Sequence, residues 1–354
     1  MKIASAASAF PKHYYTQKVL LERLQDYWGD QLKNPLLLAR LHRNVTVDGR
    51  YLAIPAEQYV DIKTWGEAND IWIRVAQELG EQALCRALQS AGMEPEDLGC
   101  LLFTTVTGVA SPSIDGMLIN KMGLPANIRR TPIFGLGCVA GAAGIARASD
   151  YVRAYPKKAA ALVSVELCSL TLQREDLSVA NLISSGLFAD GSAAVIVTGD
   201  EFESSQPENS GPSILATRSV FYPDTEDMMG WKISEKGFRI ILSTEVPNLI
   251  RHNLGRDVDA FLADNGYRRS DLKSFVLHTG GPKVLDASAD ALGLHNGELD
   301  ASWDCLRKVG NLSSASVLCV LEDVMKNRRP EPGTLGLLAA MGPGFCSELL
   351  LLQW

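Results

Sequence analysis

The sequence predicts an α/β fold in which one strand-and-helix unit is used twice. Three observations carry this. Apolar runs that end in glycine alternate with helix-like stretches, and the same order of strand, glycine turn and helix recurs in the second half of the chain. Each half also contains one stretch of very small residues, which can form a helix only where it is packed closely on several sides. The two halves are expected as residues 1–205 and 206–354, meeting in the polar Glu/Ser/Pro/Gly stretch between 199 and 212.

Residues 1–10 alternate loosely as a first strand, and Thr16 stands where it would cap an amphipathic segment over 19–28. Residues 36–41 read as helix and 44–51 as extended chain with a turn. A long helix follows over 69–91, with Ile71, Val75, Leu79, Ala83 and Leu84 apolar and Gly92 ending it. Next come a buried strand within 97–108, a helix over 114–122 that stops at Gly123, a strand and helix around Cys138, and strands over 160–166 and 193–198. The second half answers with a strand within 271–280, a helix over 284–292 that stops at Gly293, a small-residue helix after Gly310, and strands over 335–341 and 348–352.

A chain of 354 residues with 46% hydrophobic content can bury one large core or two fused ones. Its longest apolar runs, 159–165 and 335–341, are too short to cross a bilayer, and the N-terminus lacks the apolar core of a signal peptide, so a cytoplasmic location is expected. The seven cysteines are scattered, with no Cys-x-x-Cys pair, and imply neither a zinc site nor a disulfide framework. A net charge of −7 without a compensating basic tract argues against a nucleic-acid partner. The one dense basic cluster, 326–329, reads as the solvated end of a helix before Pro330. His13, His42, His252 and His295 lie among polar residues and read as surface groups.

The chemistry centres on Phe134-Gly135-Leu136-Gly137-Cys138-Val139-Ala140-Gly141. A cysteine at the start of a central helix meets unpaired N–H groups and the positive end of the helix dipole, which favour thiolate and lower a pKa that starts near ~8.5. The alternative is a small buried hydrophobe. If the halves pack about a pseudo-twofold axis, the two small-residue helices become the central pair, and Cys138 and Asn311 approach each other. His278 ends the strand before the second helix pair and faces the same crevice. A Cys–His–Asn set suits acyl transfer from a thioester: thiolate attacks, histidine takes or shares its proton, and the amide N–H meets developing negative charge. It also suits decarboxylation of a malonyl group, whose enolate oxygen the two donors can hold. Each residue has a plainer reading as well, His278 as a structural histidine and Asn311 as a helix cap. Gly280-Gly281-Pro282 and Gly342-Pro343-Gly344 lack the pattern of phosphate loops and read as tight turns lining a site.

Taken together, Gly137-Cys138-Val139-Ala140-Gly141, Leu187-Phe188-Ala189-Asp190-Gly191, His278-Thr279-Gly280-Gly281-Pro282, Gly310-Asn311-Leu312-Ser313-Ser314 and Met341-Gly342-Pro343-Gly344-Phe345 resemble the type III polyketide synthases, chalcone-synthase-like enzymes of the thiolase fold. The resemblance covers essentially the whole chain, in order, and residues 45–51 and 166–171 bring it closer to bacterial members than to plant chalcone synthases. It implies an αβαβα layered homodimer that takes acyl-CoA and malonyl-CoA as substrates and needs no carrier protein, metal or redox cofactor. Cys138 would carry the acyl starter, and His278 and Asn311 would serve decarboxylation and condensation. Phe188 would be the gatekeeper between CoA tunnel and cavity, its alternative being an ordinary core aromatic.

By the same resemblance Arg40 matches one of the basic residues that hold CoA phosphates, while two neighbouring basic positions are Leu37 and Asn44 here. Arg43 or Lys283 would substitute, beside the Gly280–Gly281 turn, and Arg40 could equally be an exposed helix charge. Among cavity positions Cys168 stands for a threonine, Ser184 for a glycine and Ser111 for the methionine that crosses the dimer interface. The second gatekeeper phenylalanine of the family is replaced near 238–240, with Ile240 on the cavity, and Ser313 flanks Asn311. These differences imply altered starter size, extension number and ring closure, to a resorcinol, pyrone, phloroglucinol or polyhydroxynaphthalene. Cys168 reads as a small wall residue rather than a second reactive thiol. Two further readings stay open: an initiating ketoacyl-carrier-protein synthase, against which stand the Gly280-Gly281-Pro282 turn and the absence of a His-Gln-Ala-Asn motif, and a catalytically silent thiolase-fold subunit.

Overall fold

The structure is a computed structural model that describes residues 1–32, 34–203, 211–295 and 297–354. The first half contains β1 (Lys2–Ala9), β2 (His13–Thr16), α1 (Gln17–Trp28), α2 (Pro35–Asn44), β3 (Gly49–Leu52), α3 (Trp65–Ala91), β4 (Leu98–Thr105), α4 (Ile114–Met122), β5 (Arg129–Phe134), α5 (Ala140–Ala154), β6 (Ala159–Leu167), α6 (Val179–Leu187) and β7 (Asp190–Thr198). The second contains β8 (Ser213–Phe221), β9 (Met229–Ser234), β10 (Gly237–Leu242), α7 (Val246–Asp264), β11 (Leu272–Leu277), α8 (Pro282–Leu292), α9 (Asp300–Val309), α10 (Ser316–Asn327), β12 (Leu335–Gly342) and β13 (Cys346–Gln353). The expected boundary between 205 and 206 lies outside the described residues.

Nine strands form one sheet in the order β11-β12-β13-β8-β1-β7-β6-β4-β5. Outward from its middle, β1 runs antiparallel to β7 and β7 to β6, and β6, β4 and β5 are parallel. On the other side β8 runs antiparallel to β13 and β13 to β12, and β12 is parallel to β11. The second half thus repeats the first strand for strand, short of a counterpart to β5. The halves join at the pair Lys2–Ser213, reinforced by the Ile3 N–H donating to the Pro212 carbonyl at 3.0 Å.

Period-two alternation assigns each strand's side chains to two cores. Along β6, Ala160 and Leu162 pack into a central core with α5 and α10, while Ala161, Val163 and Val165 join α3 in an outer one. Along β12, Leu338 and Ala340 enter the central core, and Leu337, Ala339 and Met341 pack against α7. The result is the αβαβα layering, with α5 and α10 as the middle layer. Their small residues permit it: a Cβ on Gly141 would fall less than 3.0 Å from the Ser314 carbonyl oxygen and 2.7 Å from Val317 Cγ1.

Local signals set the boundaries. Thr16 accepts the Val19 N–H as N-cap of α1. The long helix α3 begins at Trp65 rather than 69, because Thr64 and Glu67 form a reciprocal capping box, and Gly92 ends it at φ +64. His42 is not a surface group: α2 turns it inward with Leu38, its Nε2 lies 3.2 Å from the Ser185 hydroxyl, and burial, helped by the Arg50 charge, lowers its pKa to about 3. At the end of α10, Lys326 pairs with Glu322, and Arg328 with Asp323 and Asp304, so this basic cluster is tied to its own acidic neighbours. Among the described residues no helix is long and apolar enough to cross a membrane.

Candidate active site

Two short turns, one from each half, face each other at the middle of the molecule. After β5 a single 3-10 turn, Gly137–Val139, leads into α5 and carries Cys138. Gly137 has φ +56, and a Cβ there would lie 2.7 Å from the Pro343 ring, so only glycine lets this turn pass the loop after β12. The matching turn, Ser313–Ala315, leads into α10, and its Ser313 hydroxyl lies 3.6 Å from the Cys138 sulfur. Ser313 itself has φ +49, a conformation costing a non-glycine residue about 1–2 kcal/mol, held here by its surroundings.

Asn311 precedes that turn and is fixed on both sides. Its N–H donates to the Leu187 carbonyl and its carbonyl accepts the Ala189 N–H, both at 2.9 Å, which places Phe188 directly beside it. Its side-chain Oδ1 accepts the Ser313 N–H at 2.8 Å and the Ser316 hydroxyl at 3.4 Å. Both acceptor sites are used internally, and the Nδ2 group has no acceptor among the described residues. His278 follows β11, its N–H donating to the Ala339 carbonyl of β12 at 3.0 Å. It is buried, its Nδ1 has no partner among the described residues, and burial lowers its pKa to about 4.

The Cys138 thiol departs from the expectation of a lowered pKa. It is partly exposed, yet desolvation pushes it up to about 12; the Ser313 hydrogen bond opposes this, and the charge of Glu166 adds to it. The start of a helix is present as expected, but loss of water outweighs it. Cysteine and histidine each favour their neutral forms in the free chain.

A cavity of about 390 Å³, lined by none of Cys138, His278 and Asn311, reaches this junction through Phe188, which pairs with Asn311. Cys168, Ser184, Phe188 and Ile240 are among the residues that line it, and Cys168 is buried. Sequence reasoning missed other parts of the lining: Leu20, Leu24 and Tyr27 of α1, Tyr59 and Val60 of the short 3-10 segment Ala56–Asp61 after β3, and Trp231 of β9. The apolar face of α1 was the available signal. Ser111 does not line the cavity; it is exposed in the loop before α4. Ser313 sits on the Cys138 side instead. Arg40 and Arg43 on α2 and Lys283 in the first turn of α8 are exposed, with no ion pair among the described residues, while Gly281 opens α8 at φ +125 beside Leu187. Asp190 of the Leu187–Gly191 motif is structural: it accepts the Ala53 and Ser169 N–H groups at 2.6 and 2.8 Å, and burial raises its pKa to about 6. No cluster among the described residues could hold a metal ion.

The duplicated half-sheets around a central helix pair, with one turn from each half meeting at a thiol, define a thiolase-fold condensing enzyme. Comparison with known proteins narrows the class. Residues 6–201 match the N-terminal domain, and 213–354 the C-terminal domain, of the chalcone and stilbene synthases. The chain is 47% identical over 352 residues to 1,3,6,8-tetrahydroxynaphthalene synthase of Streptomyces peucetius subsp. caesius, covering 99% of this chain and 93% of that one. It is 31% identical to phloroglucinol synthase of Pseudomonas fluorescens, covering 98% and 97%. The solved structure of 1,3,6,8-tetrahydroxynaphthalene synthase from Streptomyces coelicolor A3(2), a bacterial type III polyketide synthase, superposes with a TM-score of 0.93 at 31% identity, over 100% of this chain and 99% of that one. The chain belongs to the chalcone and stilbene synthase family and is a type III polyketide synthase, an acyltransferase.

Proposed function

We propose that Cys138, His278 and Asn311 carry out iterative decarboxylative condensation of malonyl-CoA, and that the product is a polyhydroxylated aromatic. The observation that carries this is the Asn311 amide, whose oxygen is occupied by the Ser313 N–H and whose N–H₂ group has no acceptor among the described residues, just before the turn that meets Cys138. Cys138 gives its proton to His278 as its sulfur attacks the starter thioester, and the proton leaves on CoA. This fits a pair that is neutral at rest better than a preformed ion pair. Malonyl-CoA then loses carbon dioxide, its enolate oxygen held by the Asn311 and His278 donors. The enolate carbon attacks the Cys138-bound acyl carbon, the thiolate leaves, and the lengthened chain returns to Cys138 for the next round.

Phe188 separates the thioester tunnel from the cavity, and Cys168, Ser184 and Ile240 shape the space in which the chain folds. Arg40, Lys283 and the Gly280–Gly281 turn form the CoA mouth. Residues 1–205 and 206–354 act as the two thiolase-like halves, and no added cofactor or carrier protein takes part. The enzyme works as a homodimer paired along the open edge of β5, where Phe134 is exposed and Ser111 reaches toward the second copy. The 47% identity to a tetrahydroxynaphthalene synthase favours a polyhydroxynaphthalene over a pyrone. Its four oxygens on alternate carbons fit five two-carbon units, within reach of malonyl-CoA as both starter and extender. Incubation with malonyl-CoA, alone and with short, aromatic and long-chain acyl-CoA, followed by mass analysis, tests this. Loss of product in Cys138→Ala is expected; a chain that releases neither carbon dioxide nor CoA with any starter sinks the reading.

A further inference from the structure

Arg50 of β3 is a buried arginine whose hydrogen-bond partners among the described residues are all neutral. Its Nη1 donates to the Gly186 carbonyl at 2.7 Å and to the Gln17 side-chain oxygen, and its Nη2 donates to the Ser185 carbonyl. Ser185 and Gly186 lie in the last turn of α6, where carbonyls have no partner within the helix and form the negative end of its dipole. The other two carbonyls of that turn are also taken: Ser184 accepts the Phe188 N–H at 3.0 Å, and Leu187 accepts the Asn311 N–H at 2.9 Å. The Gln17 amide adds a second donor to Gly186 at 2.8 Å, and the His42 ring packs so closely that a Cβ on Gly186 would fall 2.8 Å from it. One helix end is thus held from three elements, the start of α1, α2 and β3. The chain leaving it carries Phe188 on the cavity wall and then the Ala189 N–H, which donates to the Asn311 carbonyl.

We propose that Arg50 is a positioning residue: by gripping the last carbonyls of α6 it sets where Phe188 and Asn311 stand, and through them how many times the chain is extended before release. Arginine suits this task because its planar fork meets two carbonyls at once, whereas the ammonium of a lysine is a single point of charge. With the grip loosened, residues 185–189 drift, and with them the Leu187 and Ala189 backbone bonds that hold Asn311 from both sides. The Asn311 amide then leaves the place where enolate charge develops. A misplaced amide slows each condensation while release of the bound chain goes on, so shorter chains escape.

This rests on the condensation proposed above for Cys138, His278 and Asn311, and two measurements keep the two ideas apart. The parent chain, Arg50→Met and Arg50→Lys are compared with Ser5→Ala, a control that deletes a buried hydrogen bond to the Ala87 carbonyl, 2.6 Å long, between β1 and α3. The first measurement is the ratio of short to full-length products from malonyl-CoA, which does not depend on how much of each variant is folded. The second is amide hydrogen exchange in peptides covering 187–190 and 310–313, which needs no turnover. Arg50→Met should raise the ratio and speed the exchange about tenfold, and Arg50→Lys about threefold, while Ser5→Ala matches the parent in both. An Arg50→Met protein that behaves as Ser5→Ala does overturns the proposal, and an Arg50→Lys protein indistinguishable from the parent overturns the two-carbonyl grip. Where Arg50→Met does not fold, Gln17→Met carries the test, because it removes one donor to Gly186 and the oxygen that steadies Arg50. Both measurements should then rise about threefold, and parent values overturn the proposal. A parent chain that makes no product from malonyl-CoA defeats the functional reading, while the exchange result still tests the hold of Arg50 on the helix end.

Discussion

Gly141→Ala should destabilise this enzyme although the same change stabilises most helices. In an open helix interior, alanine is favoured over glycine by about 1 kcal/mol. Here the new Cβ would lie less than 3.0 Å from a backbone carbonyl oxygen, that of Ser314, and 2.7 Å from Val317 Cγ1. A backbone atom cannot swing aside, so α5 and α10 must separate, and the cost falls in the upper part of the overpacking range, about 2–3 kcal/mol. The net loss is about 1–2 kcal/mol. For 354 residues the unfolding entropy is about 0.7 kcal/mol per kelvin, which makes the expected fall in melting temperature about 1.5–3 K. The turn pushed away carries Ser313 and, through its hydrogen bond, Asn311, so condensation should also slow about tenfold for a shift of a few tenths of an ångström. Gly144→Ala is the control: its Cβ would meet the Leu162 side chain at 2.5 Å, a flexible end that can yield, and the loss should be smaller. Circular-dichroism melting and CoA release from malonyl-CoA read the two effects. A Gly141→Ala protein that melts at or above the parent temperature with full activity would refute the close central pair.

Asn311→Ala should lower the condensation rate by two to three orders of magnitude, about the cost of removing one donor from an oxyanion site, and a loss below tenfold would reduce Asn311 to a turn-forming residue. Phe188→Ser should keep the fold and widen the starter range in an acyl-CoA panel; an unfolded variant would make Phe188 an ordinary core aromatic. His42 stays neutral in the folded chain while its unfolded form takes up a proton near pH 6.5, so its contribution is intact above that pH and is lost as pH falls toward 3. Denaturant titrations at pH 7 and 5 should show the parent losing about 2 kcal/mol more than His42→Asn, and equal losses would show that His42 titrates normally in the fold.

The repeated strand, turn and helix units and the helix-ending glycines were legible because short-range patterns encode them, and the meeting of Cys138 with the turn after Asn311 followed from the duplication; the order of strands in the sheet, with β8 beside β1, was not read. The start of α3 was legible too, in Thr64 and Glu67, but the apolar periodicity drew attention farther along. His42 was misread because Arg40 and Arg43 flank it, whereas its spacing of four from Leu38 places both on the buried face of α2. The acidity of Cys138 was misjudged for a different reason. A helix start is visible in one dimension, but the depth of apolar packing around it is not. The cavity wall formed by α1 and Trp231 joins residues some two hundred positions apart, and no local pattern announces such a meeting. Helices α6, α7 and α9 and the β9–β10 hairpin were not read from the pattern at all.

Duplication explains why the site is chemically lopsided. The turns Gly137–Val139 and Ser313–Ala315 occupy the same place in the two halves, each leading into a central helix, and their middle residues are Cys138 and Ser314. A polar hydrogen-bonding side chain suits both places, yet the two have opposite fates. The Ser314 hydroxyl is bound by Glu166 and Ser164 and so is not free to attack, whereas the side-chain partner of the Cys138 thiol among the described residues is Ser313, at a long 3.6 Å. On the proposed mechanism one half supplies the nucleophile, and the other, with its matching turn tied down, supplies Asn311 and His278. Two equal nucleophiles at the junction would compete for one acyl group. Burying one as a hydrogen-bonded serine leaves a single acceptor, and on that mechanism frees the second half to hold the enolate.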